Sequence, residues 1–306
     1  MRPLAFVPVD AFLVDLFARD LPPFPVIGLG DAAHPLATSL DAIVQPPVTA
    51  DMLARAIVAN PCAAGIAVQL LRRLERMDVS AALFEESLAY GLLQGSAEHA
   101  AWLRSNLAGT SYGEGRVQAR RDGDVLHILL DREAARNAID RAMRDRLHEL
   151  FMLAALDPEL RTVTLTGAGK AFCIGADLSE FGTTRDPATA HLIRMQTLPA
   201  HAITGCAAKL EVHVQGACVG AGLEMAAFAR RITATANAWF HLPELAMGLI
   251  PGAGGCVSVS RRMGRQRTAL MILSGRRINA ATALDWGLID AIMDDPSVDD
   301  GAADQL

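Results

Sequence analysis

The pattern of apolar and polar positions divides the chain into two parts. Residues 1 to about 107 begin with two short apolar runs typical of buried strands, at Pro25 to Gly30 and at Leu40 to Val44. Helical periodicity and start signals then predict four helices, over residues 49–59, 61–77, 80–94 and 96–105. A polar, glycine-containing stretch over residues 106–115 follows. We therefore expect a mainly helical module, residues 1–107, and a second domain, residues 108–306.

From Arg116 onward, strand-like and helix-like segments alternate. The pattern predicts strands over residues 124–130, 161–167, 210–216 and 231–236. It predicts helices over residues 137–153, 187–203, 256–263, 266–273 and 280–286. This alternation is typical of an α/β fold in which helices cover layered sheets.

A glycine-rich stretch from Gly216 to Gly255 carries two candidate catalytic acids. Glu224 falls in the first turn of a short predicted helix, and Glu244 follows Pro243 in a loop that leads to a second glycine cluster. Glycine lets a ligand approach the backbone closely, and a carboxylate beside a helix N-terminus is one way to build an active site. Two such acids could hold one water molecule between them. Taken singly, each is more simply interpreted as a capping or surface glutamate.

Composition narrows the functional class. The 306 residues are 51% hydrophobic, which is ample for a sizeable core, and the formal net charge of −6 does not favour a nucleic-acid-binding surface. Charged residues and prolines interrupt every long apolar run, so we expect neither a membrane span nor a secretory signal, and we expect a cytoplasmic protein. Histidine spacing indicates no metal site. The cysteines are predicted to be free, buried thiols: Cys62, Cys173, Cys206, Cys218 and Cys256.

Three glycine-containing segments follow predicted strands. They are AFCIGADLSEF (171–181), GACVGAGLE (216–224) and LPELAMGLIPGAGG (242–255). In this order and spacing they resemble the crotonase, or enoyl-CoA hydratase/isomerase, superfamily. The segments DREAARNAI (131–139) and GRRINAATALDWGLID (275–290) add to the resemblance, which covers about residues 116–294. It implies a crotonase-like spiral of repeated ββα units, a homotrimer or homohexamer, and an acyl-CoA thioester substrate with no cofactor beyond the coenzyme A of that substrate.

The resemblance also implies roles for individual positions. The backbone N–H groups of Ala176 and Ala221 match the two donors of the family's oxyanion hole, which stabilises an enolate. Glu244 matches the acid that delivers the α-proton, and Glu224 matches the acid that orients and activates water. Further substrate or CoA contacts are implied for Lys170, Ile174, Gly175, Asp177, Gly222 and Trp102. Two alternatives stay open, because Asp177 also suits a loop cap and Lys170 also suits a solvated loop residue.

Residues 40–106 resemble the helical tail that follows the core in this family. Here that tail precedes the core, either as a permuted order or as a degenerate partial repeat ahead of a full copy. An unrelated helical cap is the remaining alternative. Trp102 stands at the place of an aromatic residue that reaches an adenine site in the family, while Ser105 replaces a lysine. We expect this module to supply the roof of the site.

The predicted function is enoyl-CoA hydratase, the syn addition of water to a 2-enoyl-CoA, with a place in fatty acid metabolism. Retention of both acids favours hydration over enoyl-CoA isomerisation, which needs one acid. Another crotonase-type lyase or hydrolase is a further alternative among enzymes. The alternative of another class is a non-catalytic CoA-binding or assembly subunit, which the altered order of the modules makes plausible.

Overall fold

The computed structural model describes residues 3–10, 21–106 and 112–293. The predicted domain boundary at residue 107 lies outside the described residues. The α-helices are α1 (Ala50–Ala59), α2 (Pro61–Leu74), α3 (Val79–Gln94), α4 (Ala97–Asn106), α5 (Arg141–Leu156), α6 (Pro187–Thr197), α7 (Pro199–Cys206), α8 (Ala221–Ala226), α9 (Gly255–Met263), α10 (Arg265–Ser274) and α11 (Ala280–Asp285). The strands are β1 (Ala5–Pro8), β2 (Val26–Leu29), β3 (Ala42–Ile43), β4 (Arg116–Asp122), β5 (Val125–Asp131), β6 (Thr162–Gly167), β7 (Leu210–Val214), β8 (Ala217–Val219), β9 (Arg231–Thr235), β10 (Trp239–His241), β11 (Ile278–Asn279) and β12 (Ala291–Met293).

The largest sheet has six strands in the order β12-β9-β7-β6-β5-β4. Strands β4 and β5 form an antiparallel hairpin, and the other neighbours pair in parallel. Alternate residues of β5, namely Leu126, Ile128 and Leu130, are buried, which explains why its apolar pattern was readable in the sequence. Strand β4 was not predicted, because it lies at the sheet edge and its sequence RVQARRD is almost wholly exposed.

A smaller sheet, in the order β11-β10-β8, lies beside the large one. Strand β8 pairs in parallel with β10, and Gly220 then joins β8 directly to α8. Strand β7, strand β8 and helix α8 thus form one strand–strand–helix unit of the predicted α/β type. The stretch from Gly216 to Gly255 therefore starts between two sheets and ends at the beginning of α9.

Residues 3–10 and 21–106 form a helical module with a three-stranded parallel sheet of order β1-β2-β3. Helix α3 packs against α6 and α7, and α4 packs against the 3-10 helix Glu244–Met247. Helices α1 and α2 contact α10. The module therefore lies on the core domain at the segments that carry the candidate acids.

The last strands of the module and of the core domain share one local arrangement. Asp41 precedes β3; its N–H donates to Val26 O (3.0 Å) and its Oδ2 accepts from Val26 N–H (2.8 Å). Asp290 precedes β12, and its N–H and Oδ2 make the same two bonds to Ile232, at 2.8 and 2.6 Å. This correspondence favours the partial-repeat hypothesis over an unrelated cap. The origin of the module stays a prediction.

Two predicted helices differ from the observed ones. Helix α5 starts at Arg141 and not at Asn137, because Asn137 has a left-handed backbone (φ 58°) and Asp140 provides the N-cap. The single helix predicted over residues 187–203 is two helices, α6 and α7, since Pro199 lacks the N–H that a continuous helix would use and disfavours helical backbone at Leu198.

The cysteine prediction holds for four of the five residues. Cys173, Cys206, Cys218 and Cys256 are free and buried, whereas Cys62 is free but exposed. The prediction of burial was wrong for Cys62 because this residue occupies the first turn of α2, where its backbone N–H donates to Glu98.

No single helix in residues 3–10, 21–106 and 112–293 has both the length and the apolar composition needed to cross a membrane. Helices α1 and α2 reach that threshold only when taken together, and they meet at an angle of 110°.

Asp41 is expected to be a major contributor to the stability of the module. Its carboxylate is 1% exposed and bonds to Arg72 Nε (2.8 Å) and Nη2 (2.6 Å). Asp41→Asn removes the charge and leaves Arg72 without a carboxylate, so we expect a loss of about 3–5 kcal/mol in the free energy of unfolding. Urea denaturation measures it. Asp290→Asn is the matched control, since 45% of that side chain is exposed and its loss should be smaller; equal losses would contradict the prediction.

Candidate active site

Two loops bring Ala176 and Ala221 together. The loop before Ala176 runs alongside β8, because Cys173 N–H donates to Ala217 O (3.0 Å) and Val219 N–H donates to Cys173 O (2.9 Å). Glycines make the close approach possible. Gly175 has φ +100°, and a Cβ there would lie 3.3 Å from Val219 O; Gly220, which precedes α8, has φ +47°.

The N–H groups of Ala176 and Ala221 are available to a ligand. Among the described residues neither donates a hydrogen bond, although their neighbours do: Asp177 N–H donates to Ile139 O (2.8 Å) and Gly220 N–H to His241 O (3.0 Å). Both alanines line a cavity of about 260 Å³. Ala221 is also the first residue of α8, so its N–H lies at the positive end of that short helix.

Both candidate acids line the same cavity, and Glu224 is fixed in place by the backbone of the second glycine cluster. Its Oε2 accepts from Ala253 N–H (2.6 Å) and from Gly255 N–H (2.8 Å). The side chain is 2% exposed. Burial raises the pKa of Glu224 to about 7, and the two N–H donors limit that rise by stabilising the carboxylate.

Glu244 differs from Glu224 in its partners. It starts the 3-10 helix Glu244–Met247, with Oε1 close to Gly220, where a Cβ would lie 2.8 Å away. Its Oε2 is buried and has no hydrogen-bond partner among the described residues. Burial raises the pKa of Glu244 well above its usual value, and the nearby charge of Glu224 raises it further. Glu244 therefore favours the protonated form more strongly than Glu224 does.

The segment DREAARNAI supports the loop that carries Ala176. Asn137 Nδ2 donates to the carbonyls of Ala168 (2.9 Å), Ala171 (2.9 Å) and Phe172 (3.1 Å), while Arg132 Nη1 donates to Asp177 Oδ2 (2.7 Å). Sequence reasoning identified this segment only as a motif. Its side chains satisfy loop carbonyls that the sheet leaves without partners.

Asp177 lines the cavity, but its carboxylate is engaged within the loop. Oδ1 accepts from Ser179 N–H (2.9 Å) and Ser179 Oγ–H (2.7 Å), and Oδ2 accepts from Arg132. Burial alone would raise the pKa of Asp177, but these bonds and the Arg132 charge lower it overall. The arrangement supports the loop-cap interpretation of Asp177.

The remaining predicted contacts fall into two groups. Ile174 and Gly175 line the cavity. Three others, Lys170, Gly222 and Trp102, do not line it. Lys170 is exposed, and Gly222 packs against Cys173, where a Cβ would lie 2.6 Å from Cys173 Cβ. The Trp102 ring centroid lies 5.8 Å from that of His99 and 5.8 Å from that of Phe181, and these two residues do line the cavity. Gly222 is thus a close-packing glycine rather than part of the cavity wall.

Glu86 on α3 is a third buried acid, which sequence reasoning missed. It is 1% exposed, and it accepts from Gly254 N–H (2.7 Å) and Cys256 N–H (2.8 Å). Burial raises its pKa well above the usual value, and the charge of Glu224 adds to that. In the sequence Glu86 follows another glutamate on a predicted helix whose apolar residues form no distinct face, so no local signal marks it.

Comparison with known proteins identifies the family. The family model described as enoyl-CoA hydratase/isomerase matches residues 120–305, which is more than half of the chain. The chain belongs to the enoyl-CoA hydratase/isomerase family. The predicted crotonase resemblance is therefore confirmed.

The curated relatives of this family member include two CoA hydratases. Mevalonyl-coenzyme A hydratase SIDH of Beauveria bassiana is 37% identical over 177 residues, covering 55% of this chain and 63% of that protein. The 2,3-dehydroadipyl-CoA hydratase of Escherichia coli is 34% identical over 168 residues, covering 55% of this chain and 65% of that protein. The chain thus spans a little under two thirds of each relative's length.

Solved structures give the same result for the fold. A crystal structure of enoyl-CoA hydratase from Thermoplasma volcanium matches with a TM-score of 0.54 at 33% identity, covering 60% of this chain and 73% of that one. The prediction of a crotonase-like α/β fold is confirmed.

Glu86→Gln tests how the second glycine cluster of this enoyl-CoA hydratase/isomerase family member is held. A glutamine offers one carbonyl oxygen to the two N–H groups and turns an NH2 group toward one of them. We expect a loss of about 1–3 kcal/mol in the free energy of unfolding, together with a lower kcat, because the same loop positions Glu224. Denaturation and steady-state kinetics measure both. Glu85→Gln, at the adjacent and more exposed acid, should leave both unchanged.

Glu224 is expected to make stability depend on pH. Burial raises its pKa to about 7 in the folded protein from an ordinary value of 4.5, so the folded state retains a proton that the unfolded state loses. The unfolding free energy of the wild type should therefore fall, relative to Glu224→Gln, by up to about 3 kcal/mol as pH rises from about 4.5 to 7. Urea denaturation across this range measures the difference; a difference that rises with pH would contradict the assigned shift.

Proposed function

We propose that this protein is an enoyl-CoA hydratase that adds water to the double bond of a 2-enoyl-CoA. The observation that carries the proposal is the meeting, in one cavity, of two unpartnered backbone N–H groups with two buried carboxyl groups. Both curated relatives described above are named as CoA hydratases, which supports the same reaction class.

The N–H groups of Ala176 and Ala221 would bind the thioester oxygen. Addition of water at the β-carbon develops negative charge on that oxygen as an enolate forms. Donors already held by the Gly175 and Gly220 turns need no reorganisation when this charge appears, and the loss of one such donor costs about 10²- to 10³-fold in rate.

The two acids differ in the way that the reaction needs. Glu224 accepts two N–H bonds that favour its ionised form, so it suits the base that orients and deprotonates the water. Glu244 has a buried, unpartnered Oε2 and the more strongly raised pKa, so it suits the acid that delivers a proton to the α-carbon. This division agrees with the one that the family resemblance implies.

The wider assignments are proposals that follow from family membership. We propose an acyl-CoA thioester as the substrate, no separate cofactor or metal, a cytoplasmic location and assembly as a homotrimer or homohexamer. No cluster of histidine, cysteine and carboxylate side chains suited to a metal ion occurs in the described part of the chain.

Enoyl-CoA isomerisation is the second candidate reaction, because the oxyanion donors serve it equally well. It moves a double bond with one acid–base group, which leaves the second buried carboxyl without a role. Assay of 2-enoyl-CoA and 3-enoyl-CoA on the same preparation separates the two, and conversion of the 3-enoyl compound alone would establish the isomerase.

Glu244→Gln should abolish most of the hydration activity. The amide has the shape of the carboxyl group but supplies no acidic proton, so we expect kcat to fall by about 10²-fold or more. Loss of the conjugated thioester absorbance of crotonyl-CoA measures the rate. Glu149→Gln, the same replacement at an exposed site on α5 whose side chain is 65% exposed, is the control. Turnover of Glu244→Gln at the wild-type rate would exclude a chemical role for this acid and favour a non-catalytic CoA-binding protein.

A further inference from the structure

The cavity has a cationic group at a place that the hydration chemistry does not use. Arg194 on α6 lines the cavity and is half-buried. Its guanidinium makes three hydrogen bonds, from Nε to Ser87 Oγ (3.0 Å), from Nη1 to Gln94 Oε1 (2.7 Å) and from Nη2 to Ser87 O (3.0 Å). All three acceptors are neutral, and two of its five N–H donors remain.

Arg194 also lacks a carboxylate partner. Among the described residues no aspartate or glutamate oxygen lies within 4.0 Å of its nitrogens. Arg144, the other arginine of the cavity wall in that part of the chain, is bonded to Asp145 at 2.6 Å. Glu86 is the acid whose charge acts on Arg194, but both Glu86 oxygens accept backbone N–H groups. A partly desolvated cation without an anion is costly in a folded protein unless a ligand supplies the anion.

Tyr90 connects Arg194 to the catalytic end of the cavity. The Arg194 guanidinium carbon lies 4.8 Å from the centroid of the Tyr90 ring, which a cation–π contact explains. The other part of the ring packs against Gly252, where a Cβ would overlap it, in the loop that binds Glu224. The Tyr90 hydroxyl has no hydrogen-bond partner among the described residues. Tyr90 and Arg194 thus present free donors in the wall of the cavity that also holds Glu224 and Glu244.

We propose that the acyl chain of the substrate ends in a carboxylate, which Arg194 binds with the help of the Tyr90 hydroxyl. The proposal rests on the proposed function, because it takes this cavity to be the acyl-binding cavity of an enoyl-CoA hydratase. Arg194 and Tyr90 are then specificity-determining residues that touch the far end of the substrate and take no part in proton transfer.

The test compares two substrates of equal length, 2-hexenoyl-CoA and 2-hexenedioyl-CoA, which differ in a terminal methyl or carboxylate. We expect the wild type to have a kcat/KM about tenfold or more higher for the dicarboxylic substrate, the scale of a hydrogen bond to a charged group. The difference should lie mainly in KM, because the carboxylate is bound equally in the ground state and the transition state.

Three variants test the residues. Arg194→Met keeps the length of the side chain without its charge, and should lower kcat/KM about tenfold or more for 2-hexenedioyl-CoA while leaving 2-hexenoyl-CoA within about threefold. Tyr90→Phe should lower it for the dicarboxylic substrate alone, by a smaller factor. Arg194→Lys should retain part of the preference. Equal losses of kcat/KM for both substrates would overturn the proposal. Arg194 would then only connect α6 to α3 through its hydrogen bonds to Ser87 and Gln94.

A measurement on the wild type alone guards against variants that do not fold. The saturated analogues hexanoyl-CoA and adipoyl-CoA are titrated by calorimetry, and we expect adipoyl-CoA to bind about tenfold more tightly. Turnover of 2-hexenoyl-CoA without any preference for a carboxylate would overturn this inference and leave the proposed hydratase intact. Tighter binding of adipoyl-CoA without turnover of either enoyl compound would support the carboxylate site and exclude the proposed hydratase activity.

Discussion

Backbone N–H groups from Ala253 to Cys256 are held alternately by two acids, and the site depends on this arrangement. Ala253 and Gly255 donate to Glu224, whereas Gly254 and Cys256 donate to Glu86. Successive N–H groups thus point to acids on different helices, α8 in the core domain and α3 in the helical module. Each buried carboxylate satisfies donors that would otherwise be unpaired, and the backbone in turn makes each charge tolerable at low exposure.

This arrangement also sets the electrostatics of the cavity. Glu86, Glu224 and Glu244 are near enough for their charges to interact, and burial raises the pKa of all three. The N–H donors favour the charged forms of Glu86 and Glu224, whereas the buried Oε2 of Glu244 has no hydrogen-bond partner among the described residues to favour its charge. The proposed hydration needs one acid in each state at the same pH, and the distribution of backbone donors would provide that difference.

The sequence predicted most elements and both candidate catalytic acids, because strong apolar periodicity and glycine-rich turns are local signals. Strand β4 was not predicted, because an exposed edge strand has no apolar alternation. The start of α5 was misplaced, because the left-handed backbone of Asn137 depends on bonds from its side chain to carbonyls distant in the sequence. Glu86 and Arg194 could not be assigned to the site for a similar reason. Their importance comes from what packs against them, on segments far away in the chain, and no pattern within one helix reports that.

The contact between Glu86 and Gly254 joins residues separated by 168 positions. Helix α3 precedes every element of the core domain in the chain, so it is synthesised before the segments that it covers. The Glu86 carboxylate lacks its backbone partners, Gly254 and Cys256, until the start of α9 has been synthesised. Formation of this contact therefore closes a long loop of the chain and joins a segment that is synthesised early to one that is synthesised late.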